Sequence, residues 1–303
     1  MSEIKPPPQE NADWEAMKDV GQITNVEHIP AEQPQQPQQV SKMRVGIVGD
    51  NHLADATRAS FDTKLVDVVQ GDFEEILTAT NVIFVCVDLP FLKNNTIDDT
   101  ELLEMFSRIQ KESTAGVCLK TTITQETLSR IIGATDGAWF LGKVVYSPEI
   151  AETALEVLQG DSMFVGGAPN TIDAHMKIIE NNTISGMKKV LTGTHHEIVY
   201  AKLAITGFKA IKQTFFNQMY QTIIDCEGAN PAKVRRLIEN SDVMTDSSLS
   251  IPTFIKAHLD PECSSKEARS FGGEFANTDV RMLVGMTDRL TVLDECFNIR
   301  NIT

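Results

Sequence analysis

From residue 43 onward, short apolar runs alternate with segments in which apolar residues recur every three or four positions. The apolar runs predict strands at 44–48, 64–69, 82–87, 115–120, 142–146 and 162–166. The periodic segments predict helices at 52–61, 100–111, 125–132 and 172–181, and a short helix or turn at 73–78. Strands that are apolar throughout are typical of a parallel sheet with both faces covered. Residues 43–190 are therefore expected to form a doubly wound parallel α/β domain.

After about residue 190 the strand pattern ends. One long helix is predicted at 197–226, and Gly228 and Pro231 mark its end. Pro231 suits the first turn of a further helix that runs to residue 240. The stretch 242–270 is irregular, with a possible helix near 253–258, and a final helix is predicted at 278–298. Residues 191–303 are thus expected to form an all-helical domain with a long central helix.

The first 42 residues differ in composition from the rest of the chain. They contain Pro6-Pro7-Pro8 and a Pro/Gln stretch at 32–39, and such a segment has too little apolar surface to offset its ordering entropy. We interpret it as a flexible tail. Within the tail, four apolar residues stand at helix-like spacing: Trp14, Met17, Val20 and Ile23. They form either a chance short helix or a docking peptide for a partner.

Charge and composition narrow the classes of partner. The net charge of −15 disfavours nucleic-acid binding, because an acidic surface repels phosphate backbones. No apolar run is long enough for a membrane helix, and the amino terminus does not resemble a secretory signal. Five scattered cysteines form no CxxC pair, which is typical of free thiols in a reducing cytoplasm: Cys86, Cys118, Cys226, Cys263 and Cys296.

The turn after the first predicted strand has the position of a dinucleotide-binding loop. That chemistry requires three small residues, for the tight turn, for close approach of the pyrophosphate and for helix packing. Gly49 and Ala54 fit the first and third positions, but Asn51 occupies the second, where its side chain crowds a pyrophosphate. Asp67, near the end of the next strand, is a candidate for the ribose hydroxyls. The pattern fits either an NAD site or a Rossmann-like scaffold that binds no ligand.

Further motifs follow in an order that resembles the UDP-glucose/GDP-mannose dehydrogenase family. The matching segments, with the family's pattern after each, are 85–90 (VCVGTP), 120–124 (KSTVP), 146–152 (SPEFLREG), 164–167 (IVVGG), 197–217 (the central helix) and 271–283 (FGGSCFPKDVRAL). These matches span about residues 43–290. The resemblance implies a Rossmann domain followed by the family's helical middle domain.

The family oxidises the primary alcohol of a nucleotide sugar to a carboxylate in two hydride transfers to NAD, through a thioester on a cysteine. By this resemblance Lys202 is the catalytic lysine that stabilises an alkoxide-like oxygen, and Asp279 is the aspartate that assists proton transfer. Glu149 matches the glutamate of thioester hydrolysis, and Thr122 the threonine near cofactor and water. Expected cofactor contacts are Gly49, Asn51, Ala54, Asp67, Val87 and Thr122.

The chain departs from the family at several of these positions. Phe275 stands at the catalytic cysteine, Thr206 at the central-helix asparagine and Thr278 at the lysine before the aspartate. A phenyl ring forms no thioester, so full four-electron oxidation is not expected. Cys263 is either a substitute nucleophile or an ordinary free thiol. The family's carboxy-terminal nucleotide-sugar domain is expected to be absent, because the sequence ends at Thr303.

Three functions remain open at this point: an NAD-dependent nucleotide-sugar dehydrogenase, either complete or limited to one hydride transfer; an inactive scaffold or assembly protein tethered by its tail; and a regulatory NAD or nucleotide-sugar binder. The family's mode of association implies a homodimer through residues 197–226. His195 and His196 are adjacent on a helix and point apart, so no metal site is predicted. The expected location is the cytoplasm, or a virus particle if the assembly role holds.

Overall fold

The structure is a computed structural model that describes residues 42–92, 96–149, 162–183, 189–239, 274–286 and 291–292. The described residues from Lys42 onward belong to one compact unit. The tail 1–41, the predicted helix near 253–258 and the candidate thiol Cys263 lie outside these residues.

A seven-stranded sheet in the order β2-β1-β3-β4-β5-β6-β7 organises the described chain. Its strands are β1 (Met43–Val48), β2 (Val66–Gln70), β3 (Val82–Val85), β4 (Gly116–Leu119), β5 (Val144–Tyr146), β6 (Ser162–Gly166) and β7 (Lys189–Gly193). The first five strands are parallel. β6 pairs antiparallel with β5 through Tyr146 and Gly166, whereas β7 runs parallel to β6. The predicted Rossmann-like α/β fold is confirmed, with a sheet that is mostly rather than wholly parallel.

Nine helices are described: α1 (His52–Ala59), α2 (Phe73–Ala79), α3 (Thr100–Glu112), α4 (Gln125–Ala134), α5 (Gly137–Lys143), α6 (Pro169–Asn182), α7 (His195–Ile224), α8 (Pro231–Glu239) and α9 (Glu274–Met286). Two elements were not predicted, α5 and β7. The residues 142–143, assigned to a strand from the sequence, instead close α5, which is capped by the side chain of Asp136. α9 begins four residues before the predicted start of the final helix.

Helix α7 joins the sheet to the helical part of the chain. It begins with a capping box in which the Thr194 side chain accepts from the Glu197 N–H, and the Glu197 carboxylate accepts from the Thr194 N–H. Its first turns pack against β6 and α9 packs along its length. Val199 and Leu203 of α7 share a buried core with Val280 of α9. Because burial of apolar side chains is the main stabilising term, this core holds α9 close to the sheet.

A second buried cluster lies on the opposite face of the sheet, beneath α1 and α6. Phe84 of β3 is at its centre, with the ring of Phe61 edge-on at 5.3 Å and the imidazole of His175 at 5.6 Å. The sheet is therefore covered on both faces, as its apolar strands predict. Within the described residues no helix is both long and apolar enough to cross a membrane.

His175 makes the stability of the fold dependent on pH. Burial, together with the nearby charge of Lys120, lowers the pKa of His175 from 6.5 to about 3, and Nε2 has no hydrogen-bond partner among the described residues. The unfolded chain binds this proton more tightly, so the stabilisation is complete above pH 6.5. It is lost as the pH falls toward 3, at up to about 1.4 kcal/mol per pH unit.

We predict that His175→Leu flattens the pH dependence of the unfolding free energy between pH 6 and pH 4. Leucine is apolar and has no proton to take up, so the variant loses this contribution to acid sensitivity while the buried volume stays occupied. Urea unfolding of both proteins at several pH values measures the slope. An unchanged slope in the variant would show that another group governs the acid response.

Candidate functional site

The candidate site lies where the order of the parallel strands reverses. The chain leaves β1 to form β2 on one side and then returns to form β3 on the other side of β1. In open α/β sheets, ligands bind in the crevice at the carboxyl ends of the strands at such a switch point. The crevice here lies between the ends of β1 and β3, and the predicted dinucleotide loop follows β1.

Gly49 begins this loop with a φ of +131°, a conformation that side chains rarely allow. A Cβ atom at this position would stand 2.2 Å from the carbonyl oxygen of Cys86, which follows β3. Ala54, expected at the third small position, lies in the first turn of α1 and is fully buried. The backbone of the loop therefore has the tight turn and the close helix packing that the sequence predicts.

Asn51 bridges the crevice instead of leaving it open. Its Oδ1 accepts a hydrogen bond from the Ala54 N–H at 3.0 Å and so caps α1, while its Nδ2 donates to Asp88 Oδ1 at 2.7 Å. Asp88 follows β3 and stands at the position of glycine in the family pattern. The amino terminus of α1, where a pyrophosphate would be bound, thus carries an amide and a carboxylate of the protein itself.

The structure corrects the predicted placement of Asp67. Asp67 is the second residue of β2 and pairs in register with Arg44 near the start of β1, away from the carboxyl edge. Its Oδ2 accepts from Arg44 Nε at 3.1 Å. The strand extends to Gln70, one residue beyond the predicted end and three beyond Asp67, so Gln70 occupies the carboxyl edge. Its Nε2 donates to the Gly49 carbonyl at 3.2 Å.

The end of β4 forms the next side of the crevice. Thr121 Oγ1 accepts from the Val87 N–H at 2.9 Å and lies 2.9 Å from the Val87 carbonyl, which ties the ends of β3 and β4 together. Thr122 and Val87 are half-buried and line a cavity of about 140 Å³. We name it the Asp279 cavity; its lining residues are Leu53, Val87, Asp88, Leu89, Thr121, Thr122, Thr278, Asp279 and Met282.

Lys202 and Asp279 form a buried ion pair at this cavity. Lys202 Nζ lies 2.8 Å from Asp279 Oδ2, and the two residues are 3% and 1% exposed. Thr206, one turn along α7, donates from Oγ1 to the same oxygen at 2.9 Å. The pair links α7 to α9, and Asp279 and Thr122 both line the cavity. Three of the four expected catalytic residues are thus brought to one site.

Glu149, the fourth expected residue, forms an ion pair with Lys120. Burial alone lowers the pKa of Lys120, but the Glu149 carboxylate outweighs this effect and the net shift is upward, so the lysine stays charged. Lys120 belongs to the second family-like motif, yet sequence reasoning gave it no role. The sequence did contain a signal for such a role, because a lone cation at the end of a buried strand requires an acidic partner.

Neither buried thiol of the described chain suits nucleophilic chemistry. Burial raises the pKa of Cys86 to about 11 and that of Cys118 to about 12, which keeps both as thiols. Phe275, at the family's cysteine position, lies in the first turn of α9. Among the described residues, therefore, the site offers a charged pair and hydroxyls but no thiolate.

The ion pair predicts a specific pattern of stabilities. Lys202→Met or Asp279→Leu alone should lower the unfolding free energy by about 3–5 kcal/mol, because each leaves an uncompensated buried charge. The double variant should regain most of this loss, since no buried charge remains. Urea unfolding of the three variants measures the coupling. Single variants that cost less than about 1 kcal/mol would be inconsistent with a desolvated pair.

No family model matches the chain, and no curated protein matches it in sequence. Solved structures do resemble it. The UDP-D-ManNAc dehydrogenase of Pyrococcus horikoshii superposes with a TM-score of 0.61 at 13% identity, over 85% of this chain and 68% of that protein. A UDP-glucose dehydrogenase of Pyrobaculum islandicum gives 0.61 at 13% identity, over 87% and 70%.

A smaller enzyme is similar to the same degree. The 3-hydroxyisobutyrate dehydrogenase of Mycobacterium tuberculosis, in a structure with L-serine, gives a TM-score of 0.61 at 10% identity, over 85% of this chain and 92% of that protein. Identities this low establish shared architecture and leave chemistry to the residues of each site. The sequence resemblance is thereby confirmed at the level of fold: the chain has the fold of the UDP-sugar dehydrogenases, which the hydroxyacid dehydrogenase shares.

Proposed function

We propose that this protein is a catalytically inactive relative of the nucleotide-sugar dehydrogenases, whose dinucleotide crevice is closed by its own side chains and which serves a structural or assembly role. The observation that carries the proposal is the 2.7 Å hydrogen bond from Asn51 Nδ2 to Asp88 Oδ1 across the switch point of the sheet.

The hydrogen bond between Asn51 and Asp88 opposes cofactor binding through its electrostatic effect on the pyrophosphate. A helix amino terminus attracts anions, and Asn51 already occupies one of its free N–H groups. Asp88 then places a negative charge beside the same position. A phosphate within about 4 Å of a carboxylate is repelled by roughly 1–4 kcal/mol, between water-like and protein-like dielectric constants. Because Asp88 is exposed, the lower part of that range applies.

The second stage of the family reaction has no support in the described residues. An aldehyde must be trapped by a thiolate before a second hydride can leave. Phe275 replaces that cysteine, and the two buried thiols are held in their neutral form. The Lys120–Glu149 pair is then best explained as mutual charge compensation at the ends of the strands rather than as machinery for thioester hydrolysis.

A second candidate function is a single two-electron oxidation of an alcohol with NAD. The observation that favours it is the Lys202–Asp279 pair, since an alcohol bound in this cavity would meet the Asp279 carboxylate as a proton acceptor, with the Lys202 cation paired to Oδ2 of that carboxylate. In this case the cofactor must displace the Asn51–Asp88 bond. Titration with cofactor therefore separates the two candidates directly.

We predict that the native protein shows no heat of binding with NAD+ or NADH at millimolar concentration, whereas Asn51→Gly/Asp88→Gly binds both. The glycines remove the amide that crowds the pyrophosphate and the charge that repels it, and they leave helix α1 in place. Isothermal titration calorimetry measures both proteins, with Asp173→Asn, at an exposed position of α6, as the control. Micromolar binding by the native protein would instead favour the two-electron dehydrogenase.

We also propose a homodimer through residues 197–226. Tyr200, Phe208 and Phe215 on α7 are each more than half exposed, and with Ala204 they recur at helical spacing along one stripe. Large exposed apolar residues in a continuous stripe are typical of an interface.

The dimer is checked by light scattering after size exclusion. The native protein should elute at twice the chain mass, and Tyr200→Glu/Phe215→Glu should elute as a monomer because two charges would be buried at the interface. A monomeric native protein would overturn the proposal. The tail 1–42 remains a proposed tether for a protein partner, and its deletion should release the folded protein from that complex.

A further inference from the structure

Two cavities flank the segment that follows β3. The Asp279 cavity lies on one side, and a second cavity of about 200 Å³ shares Val87, Asp88 and Leu89 with it. We name the second one the Glu101 cavity; its remaining lining residues are Pro90, Asp98, Thr100, Glu101, Leu102 and Glu104. Asp88 therefore stands between two adjoining spaces.

The ionisable side chains that line both cavities are all acidic. Asp88 and Asp279 line the first, and Asp88, Asp98, Glu101 and Glu104 line the second, whereas no lysine, arginine or histidine is among the described lining residues. Hydrogen bonds from Thr100 lower the pKa of Asp98, which keeps that carboxylate charged. Walls of this kind favour cations and oppose phosphates.

Asp279 adds an observation that points to a ligand. Its Oδ2 is fully used by Lys202 and Thr206, but its Oδ1 is buried and has no hydrogen-bond partner among the described residues. A buried carboxylate oxygen without a donor is costly, and native structures usually satisfy it. Because Asp279 is 1% exposed and lines the cavity, a bound molecule with an N–H or O–H group is the natural donor.

The nature of the donor follows from the remaining wall. In the described chain no group of three or more His, Cys, Asp or Glu residues is arranged to hold a metal ion. Leu53, Val87, Leu89 and Met282 instead provide an apolar surface next to the carboxylates. This combination fits a molecule with a charged head and a short hydrocarbon part.

We propose that the Asp279 cavity binds a small organic ammonium compound in place of a dinucleotide. The ammonium group donates to Asp279 Oδ1 and is held by the charge of Asp88, and the hydrocarbon part packs on Leu89 and Met282. Lys202 offsets the charge of Asp279, so Asp88 supplies the net negative charge of the site. The inference rests on the proposed closure of the crevice, since a dinucleotide would occupy the same space.

The test uses n-butylammonium chloride with two probes of similar size, sodium n-butyrate and n-butanol. Saturation-transfer NMR on the full-length protein reports binding of each probe. Butylammonium should give the strongest signal, and butyrate none. Asp88→Asn keeps the volume of the side chain and removes its charge, so it should weaken butylammonium binding roughly tenfold, equivalent to about 1.4 kcal/mol.

Asp173→Asn, at an exposed position of α6, is the matched control. It removes an equal charge from the same acidic protein at a residue that lines neither cavity. It should bind butylammonium as the native protein does. If both substitutions weakened butylammonium binding equally, the effect would come from the overall charge of the protein, and the proposal would be overturned. Equal binding of butanol, or no loss in Asp88→Asn, would also overturn it.

The cofactor titration separates a failure of the proposed crevice closure from a failure of the proposed ammonium site. Binding of NAD+ to the native protein would refute the proposed closure of the crevice, whatever the amine does. Absence of both NAD+ and butylammonium binding would leave the closure standing and refute only the ammonium site.

Discussion

The buried contact between Lys202 and Asp279 decides where one wall of the site stands. Lys202 and Asp279 are 3% and 1% exposed, and separating two buried charges is energetically costly. Helix α9 is therefore held on α7 at the register that joins them. The apolar packing of Val199, Leu203 and Val280 is compatible with neighbouring positions, but the ion pair with Thr206 is compatible with only one. The ion pair and the apolar core shared by α7 and α9 together place α9 beside the ends of the strands.

The residues of the opposite wall of the site differ from the family pattern. Two glycine positions of that pattern are Asn51 and Asp88 here, and these two side chains bond to each other across the gap that the glycines would leave open. One replacement alone would leave either an exposed amide or a carboxylate beside the helix terminus. Together they satisfy each other's hydrogen bonding, which supports the proposal that they act as one unit against a bound phosphate.

Much of the fold was predictable because buried parallel strands are apolar throughout, and β1, β3 and β4 were found within two residues. β7 was missed because its sequence, Lys189–Gly193, is half polar, as is usual for a strand at the edge of a sheet. α5 was missed although Asp136 is a suitable N-cap, because its Trp139-Phe140-Leu141 run is as apolar as a strand. The misplacement of Asp67 came from strand ends that sequence patterns locate only to within a few residues.

Lys202 and Asp279 were identified by motif, but their contact could not be derived from composition because 77 positions separate them in the chain, as the numbering shows. The bond between Asn51 and Asp88 escaped for the same reason: each residue has an ordinary local explanation, as a helix cap and as a turn residue. The sequence therefore named residues that the fold brings together, whereas their pairings are visible only in the folded chain.

Gly49 has a consequence for how such proteins are recognised. Its neighbour across the turn is the Cys86 carbonyl oxygen, 2.2 Å from where a methyl group would stand, so any larger residue here would strain the turn and force it to shift. This requirement is independent of any bound nucleotide. A relative that no longer binds the cofactor would still be unable to replace this residue. The first glycine of the motif would therefore persist after the activity is lost.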